Sequence, residues 1–379
     1  MSALYPIIES SMLIREPSKT ELDFLCMSGR SRYWEQGFKG KGLKAAIIDT
    51  GVNKEHPEFE GKLVQTYANV PYISEGKDDN GHGTHCAALL VGKTVGIAPE
   101  ADLVSYKILD NFGSLNKISQ LLWALKEIAK RNDISVVSMS IGLPESRFSE
   151  SELIMFYDLI DTLNKKGCYV VCSAGNQGVN SEPRYPAYFD NPLVVGAVDE
   201  HMQPSWFSSV HDQVDICQVG FDVCSAWYRP VNNTYYYRIM SGTSQATPIA
   251  AGLVLLLCEK YYKMNDCYVV PFNIRDMIHC LSIDLGVSGV DNKTGIGFFT
   301  LKDSISHLKF DIDIQNILDI DIHPGTVIYN EVATEIEARP IMMRDTDTGN
   351  WKAMCELRSL FELLGSKVVY HDGIIDIWR

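Results

Sequence analysis

The sequence predicts an α/β fold, a mainly parallel sheet sandwiched by helices. Two observations predict it. From Leu43 to about Lys302, short β-branched runs alternate with longer segments of helical period, the pattern of parallel strands joined by covering helices. The β-branched runs are also nearly continuous in apolar residues, which suits strands buried on both faces.

In chain order the strand candidates are Leu43–Ile48, Asp102–Ile108, Ser135–Met139, Tyr169–Ser173 and Leu193–Val198. A run of small and apolar residues, Cys86-Ala87-Ala88-Leu89-Leu90, follows the first as a helix. Ile118, Leu121, Leu122, Leu125, Ile128 and Ala129 recur at steps of three and four, as do Leu153, Phe156, Tyr157, Ile160 and Leu163. Both stripes read as helix faces turned to the sheet. A last apolar helix begins near Ser244 and carries Ile249-Ala250-Ala251-Gly252-Leu253.

With 379 residues, 46% of them hydrophobic, the chain can bury one large core and a small second one. After Lys302 the texture changes: acid alternates with isoleucine from Asp311 to Ile322, and His323-Pro324-Gly325 then breaks the chain. A boundary is expected near residue 320. Residues 1–32 read as an N-terminal extension, 33–320 as the main domain and 321–379 as a small α+β C-terminal module. The acidic alternation fits an edge strand with one solvated face equally well.

Several classes of function are disfavoured. The longest apolar run, Ile249 to Cys258, is too short to cross a bilayer. The first residues lack a basic start and carry Glu9, a poor match to a secretory signal. Ten cysteines at irregular spacings read as free thiols of a reducing compartment, so a cytoplasmic protein is expected. The net charge of −14, with no basic cluster to offset it, opposes both nucleic-acid and anionic-membrane partners.

Four segments carry chemistry. Peptide hydrolysis at neutral pH needs a nucleophile, a base, a group that orients the base, and donors for an oxyanion. Asp49, in Ile47-Ile48-Asp49-Thr50-Gly51, closes a buried strand at the edge where open α/β sheets place their sites. Alone, such an acid also fits a capping role. His82, in Asn80-Gly81-His82-Gly83-Thr84-His85, is expected to be exposed at a helix start; with His85 it lacks the glutamate of a zinc helix, so no metal is expected. Asn176, in Ser173-Ala174-Gly175-Asn176-Gln177-Gly178, is either a turn residue or an amide donor delivered by a strand end. Ser244, in Ser241-Gly242-Thr243-Ser244-Gln245-Ala246-Thr247-Pro248, opens a helix where its own N–H has no helical partner; singly it reads as an N-cap.

Taken in order, Asp-Thr-Gly, His-Gly-Thr-His, Ala-Gly-Asn and Gly-Thr-Ser resemble the subtilisin-like serine proteases. The order Asp, His, Ser separates that family from trypsin-like enzymes and α/β-hydrolases. The likeness runs from about Tyr33 to Leu301, and the short N-terminal extension is most similar to that of intracellular subtilisins. It implies a subtilisin-like fold and a serine endopeptidase acting on protein or peptide substrates. Ser244 would attack the scissile carbonyl, His82 would take its proton, Asp49 would hold the imidazole, and Asn176 with the Ser244 N–H would bind the oxyanion. The substrate would add as a strand beside Ser140, Ile141 and Gly142, with Ala174 and Gly175 adjoining and Asn111-Phe112-Gly113 as the candidate on the other side.

Departures from the family pattern refine this. Arg184 stands where the family commonly has a small residue flooring the S1 pocket, so its guanidinium either selects acidic P1 residues or points to solvent. Cys86 resembles the free cysteine of a proteinase-K-like branch, open to mercurials or oxidants, or is a packed thiol. The segment Val91–Gly96 lacks the longer loop that carries a strong calcium site in many relatives; no cofactor is required and calcium is left open. Leu4-Tyr5-Pro6-Ile7-Ile8 is expected to lie near the cleft and restrain activity. From Val327 onward, and mostly from Met354 to Asp372, the chain resembles the copper-amine-oxidase-N-like (stalk) domain without copper-ligand spacing, which implies packing, self-association or partner binding. The alternative function is a catalytically silent subtilase scaffold that binds peptides and assembles through this module.

Overall fold

The computed structural model describes residues 10–13, 17–19, 22–71, 75–229, 234–265, 271–301, 367–371 and 374–378. Elements follow in chain order as β1 (Ser10–Leu13), α1 (Asp23–Met27), α2 (Arg30–Glu35), β2 (Lys44–Asp49), β3 (Val64–Ala68), α3 (His82–Val91), β4 (Asp102–Lys107) and α4 (Ile118–Ala129). Next come β5 (Val136–Met139), β6 (Leu143–Pro144), α5 (Glu150–Lys165), β7 (Tyr169–Ser173), β8 (Arg184–Tyr185), β9 (Leu193–Val198) and β10 (Ile216–Val219). The remainder are β11 (Val223–Arg229), β12 (Thr234–Met240), α6 (Thr243–Asn265), α7 (Pro271–Leu281), β13 (Ser282–Ile283), β14 (Phe298–Phe299), β15 (Lys367–His371) and β16 (Ile374–Trp378).

Nine strands form one sheet in the order β13-β14-β10-β9-β7-β5-β2-β4-β3, every pair parallel except β13 with β14. The expected α/β class with a mainly parallel sheet is what the chain adopts. All five expected strands are present, with ends shifted by a residue at most. Side chains alternate across the sheet: Ala46, Ile48, Val104, Tyr106, Val137 and Met139 meet α4 and α5 in one core, sealed by Leu121, Leu125, Phe156 and Ile160. The residues of α3 lie outside that core, and α3 packs against β2 instead. The start of α5 is fixed by a reciprocal cap, in which the Ser149 hydroxyl accepts from the Glu152 N–H and the Glu152 carboxylate accepts from the Ser149 N–H.

A second, three-stranded sheet has the order β1-β12-β11, antiparallel throughout. Its hairpin packs on α3, and the Trp227 ring lies where any Cβ on Gly81 would have to go, 2.5 Å from the nearest ring atom. In β1, Ser10 is opposite Met240 and Leu13 opposite Tyr237.

The chain divides into two compact units, one within 1–259 and 269–302, the other within 260–268 and 303–379. Of the second unit beyond residue 302, the described part is the antiparallel hairpin of β15 and β16. The expected boundary near residue 320, most of the stalk-like resemblance and the segment Leu4–Ile8 lie outside the described residues. Among the described residues, no helix is long and apolar enough to cross a membrane.

Candidate active site

Asp49, Ser140–Gly142 and Ala174–Asn176 leave the carboxyl ends of three neighbouring parallel strands, β2, β5 and β7, at one edge of the sheet. That shared edge brings residues far apart in the chain to one place. Asp49 is wholly buried, and both its oxygens face His82 Nδ1, at 2.8 and 3.0 Å. The Thr50 N–H donates to the same carboxylate at 2.7 Å.

His82 is the first residue of α3 and is only 3% exposed, so the imidazole is buried where the sequence suggested exposure. Asp49 binds its Nδ1, and Cys86 Sγ lies 3.8 Å from Nδ1 and 3.9 Å from Nε2. Burial disfavours the imidazolium, yet the adjoining Asp49 carboxylate outweighs burial and holds the group well above the ordinary 6.5. Cys86 could add to this only as a thiolate, and burial pushes its own thiol up; Asp49 is the cause.

His85 takes no part in this pair. It is buried, its Nε2 donates to the Arg238 carbonyl at 2.9 Å, and burial lowers its pKa to about 3, so it stays neutral. Its Nε2 is thereby committed to backbone and does not face His82. Near His82, the donor atoms of Asp49, His82 and Cys86 do lie within 4.8 Å of one another, but Nδ1 is already committed to Asp49. Around Val91–Gly96, the Thr94 and Val95 N–H groups are taken by the Glu58 carboxylate and the Thr94 and Gly96 carbonyls by the Arg30 guanidinium.

Ser244 is the second residue of α6 and is 3% exposed. Four residues on, Pro248 has no N–H to give to the Ser244 carbonyl, as a helix would require. That carbonyl is taken instead by the Ser140 hydroxyl at 2.9 Å and the Cys86 thiol at 3.3 Å. Cys86 Sγ is also 3.9 Å from His82 Nε2, so one thiol touches both the Ser244 backbone and the imidazole. Among the described residues the Ser244 hydroxyl makes no hydrogen bond to His82; such bonds commonly tighten only when substrate arrives.

Asn176 is oriented without ambiguity. Its Oδ1 accepts from the Thr243 N–H and the Thr243 hydroxyl, both at 2.9 Å, and a backbone N–H can only donate, so the oxygen must face Thr243. The Nδ2 end is thereby turned along Gly242, where a Cβ would approach it to 3.0 Å. Gly175 is tied to the same helix start, its N–H donating to the Thr243 hydroxyl at 3.2 Å.

The remaining candidates are placed unequally. Ile141 is buried, and the Ser140 side chain faces the Ser244 carbonyl. The Ala174 carbonyl accepts from His211 Nε2 at 3.2 Å. Arg184 is half-buried and turned onto the protein, its guanidinium donating to the Gly142 carbonyl at 3.2 Å. Phe112, on the opposite loop, is 78% exposed.

Two charged residues escaped the sequence reading. Asp78, fully buried, accepts at Oδ1 from the Thr50 hydroxyl and the Asn80 and Gly81 N–H groups, and at Oδ2 from the Thr84 N–H and hydroxyl, all at 2.6 to 3.0 Å. Lys107, also fully buried, donates to the carbonyls of Thr50 and Leu109 and to Asp79, at 2.5, 3.0 and 2.7 Å. Asp78 gave little signal, since it stands three residues before Gly81, the N-cap of α3, within the polar run Asp78-Asp79-Asn80. Lys107 gave no signal, since a lysine ending a strand usually reaches solvent.

Residues 40–297 match the model of the subtilase family. The chain is 34% identical over 274 residues to the minor extracellular protease Epr of Bacillus subtilis, a match covering 71% of this chain and 39% of that protein. It is 34% identical over 249 residues to thermitase of Thermoactinomyces vulgaris, covering 63% of this chain and 83% of thermitase. With the major intracellular serine protease of Bacillus subtilis the identity is 31% over 240 residues, 59% of this chain and 70% of the relative.

Proposed function

Because the chain belongs to the subtilase family, we propose that it is a serine endopeptidase that cuts extended polypeptide segments through an acyl-enzyme. The observation that carries this reading is the buried Asp49–His82 pair beside Ser244, with Asn176 held at the head of the same helix. Ser244 Oγ attacks the scissile carbonyl and His82 Nε2 accepts its proton, while Asp49 keeps Nδ1 protonated. The oxyanion lies between Asn176 Nδ2 and the Ser244 N–H, at the start of α6, whose dipole adds positive potential. His82 then protonates the leaving amine, and water repeats the sequence on the ester.

A fluorophosphonate probe tests this reading. The wild-type chain should be labelled and the Ser244→Ala chain spared, with peptide hydrolysis lost in parallel. A wild-type chain that binds peptides yet neither labels nor cleaves would favour the silent scaffold. Asn176→Leu should lower kcat by about 10²–10³, a magnitude taken over from subtilisin itself, and leave KM little changed. An unaltered kcat would remove Asn176 from the oxyanion site.

Ser140, Ile141 and Gly142, with Ala174 and Gly175, are proposed to line the substrate strand, and Arg184 to face its P1 residue. The Arg184 bond to Gly142 supports this, because it holds the guanidinium beside the segment proposed to receive substrate. Peptide-library profiling should show a preference for Asp or Glu at P1 that Arg184→Gly abolishes. The same profile before and after would place the guanidinium outside the pocket.

A cytoplasmic setting is part of the proposal; it is supported by buried thiols such as Cys86, Cys168, Cys172 and Cys217, which form no disulfide among the described residues, and one relative is named as intracellular while another is named as extracellular. The division into 1–32, 33–320 and 321–379 is likewise proposed, with the last part serving self-association or partner binding. Restraint of activity by the N-terminal segment is also proposed; Ser10 stands opposite Met240, four residues before Ser244.

A further inference from the structure

Resting on the reading of this site as a subtilase triad, we propose that Asp78 and Lys107 are positioning residues that hold Asp49 against His82 by gripping Thr50 between them. Thr50 is bound at each of its polar atoms. Its N–H donates to Asp49, its hydroxyl donates to Asp78 and accepts from the Gly83 N–H at 2.9 Å, and its carbonyl accepts from Lys107. One residue thus joins the carboxylate of the pair to the helix that carries the imidazole.

Each charge is fully committed. The Asp78 carboxylate takes five donors, drawn from Thr50 on one side and from Asn80, Gly81 and Thr84 around the start of α3 on the other. The Lys107 ammonium has three N–H groups and three acceptors. Charges removed from water are tolerated when every lone pair and proton is satisfied, and such networks hold their members rigidly. Lys107 also stands opposite Asp49 in the β2–β4 ladder, where the Asp49 carbonyl accepts from the Ile108 and Leu109 N–H groups.

The contact between the two halves leaves no slack. A Cβ on Gly83 would fall 2.2 Å from the Gly51 carbonyl and 3.0 Å from the Thr50 hydroxyl, so α3 touches the loop after Asp49 through backbone. A shift of Thr50 is therefore passed to His82 without an intervening side chain to absorb it. Neither Asp78 nor Lys107 touches the reacting atoms; their effect runs through Thr50.

The test uses the full chain, with rates expressed per active site titrated by fluorophosphonate. Asp78→Asn places an NH₂ against donors, and Lys107→Met releases the Thr50 carbonyl. Both should lower kcat by about 10- to 10²-fold with KM little changed, the scale of a misplaced catalytic group. In Asp78→Asn the acid limb of kcat/KM should also move toward the ordinary histidine value as the Asp49–His82 pair loosens. Thr50 supplies a second pair of variants if the charge changes impair folding: Thr50→Val should lose kcat, and Thr50→Ser, which keeps the hydroxyl, should retain most of it. Active wild type with folded variants that keep its kcat and acid limb, losing only melting temperature, would overturn the proposal alone. A wild-type chain that neither labels nor cleaves would overturn the triad reading and this proposal with it.

Discussion

Ser244→Ala is expected to lower kcat about 10⁶-fold, the scale found in subtilisin when the nucleophile is removed. Alanine keeps the helix and its N–H groups and deletes the one oxygen that can form the acyl ester. Asn176 remains held through Thr243, so the oxyanion site survives, and a residual acceleration over water should persist. KM should change little, because the substrate-binding segment proposed at Ser140–Gly142 is untouched. The Ser244 hydroxyl has no partner on His82 among the described residues, so its loss should leave the melting temperature near that of wild type. Steady-state hydrolysis of a peptide substrate beside a thermal melt checks both statements. Substantial turnover by the alanine chain would mean another residue is the nucleophile.

Asp49→Asn should lower kcat about 10⁴-fold and move the pH profile at the same time. The carboxylate accepts from both the Thr50 N–H and His82 Nδ1, whereas an amide has one oxygen to share and presents an NH₂ on its other side. The imidazole is then driven to the wrong tautomer. The sign of the pH effect follows from the same pair. His82 works as a base only when neutral, and Asp49 holds its pKa well above 6.5, so wild-type kcat/KM should fall as pH drops through a value above 6.5. Without the carboxylate, burial acts unopposed, and the acid limb of the residual activity should move to lower pH. Rates measured between pH 5 and 9 in both chains decide this; an unmoved limb would mean that Asp49 does not govern the imidazole.

The sheet was legible where its strands are buried on both faces. Ala45 to Ile48 and Leu193 to Val198 are continuous apolar runs, and burial on both sides demands that composition. Val64–Ala68 was missed because it is the outermost strand and mixes Gln65 and Thr66 with apolar residues, a composition that also suits a loop. The hairpin of β11 and β12 was missed because it serves the helix carrying His82, a partnership that strand periodicity cannot express. Its Trp227 covers Gly81, which is one reason the histidine is buried. The four motif residues stood out in the sequence because each lies near a strand end or helix start with glycine within two residues. Asp78 did not, since Asp78-Asp79-Asn80 reads as a polar turn until the fold brings Thr50 to it. The Ser140 hydroxyl supplies the donor that Pro248 lacks, a need visible only when the end of β5 meets α6.

The body of α6 from Ile249 to Cys258 is almost entirely sealed from solvent, and Ser244 sits at its head. The nucleophile therefore acquires its alignment only after the interior has closed around that helix. For the endopeptidase proposed, a nascent or loosened copy can be cut but cannot cut. Self-digestion then requires an encounter between one native molecule and one loosened molecule, so its rate follows the product of the two populations. A reversible inhibitor that binds only the native state should protect a stored preparation twice, by occupying the blades and by draining the pool of victims.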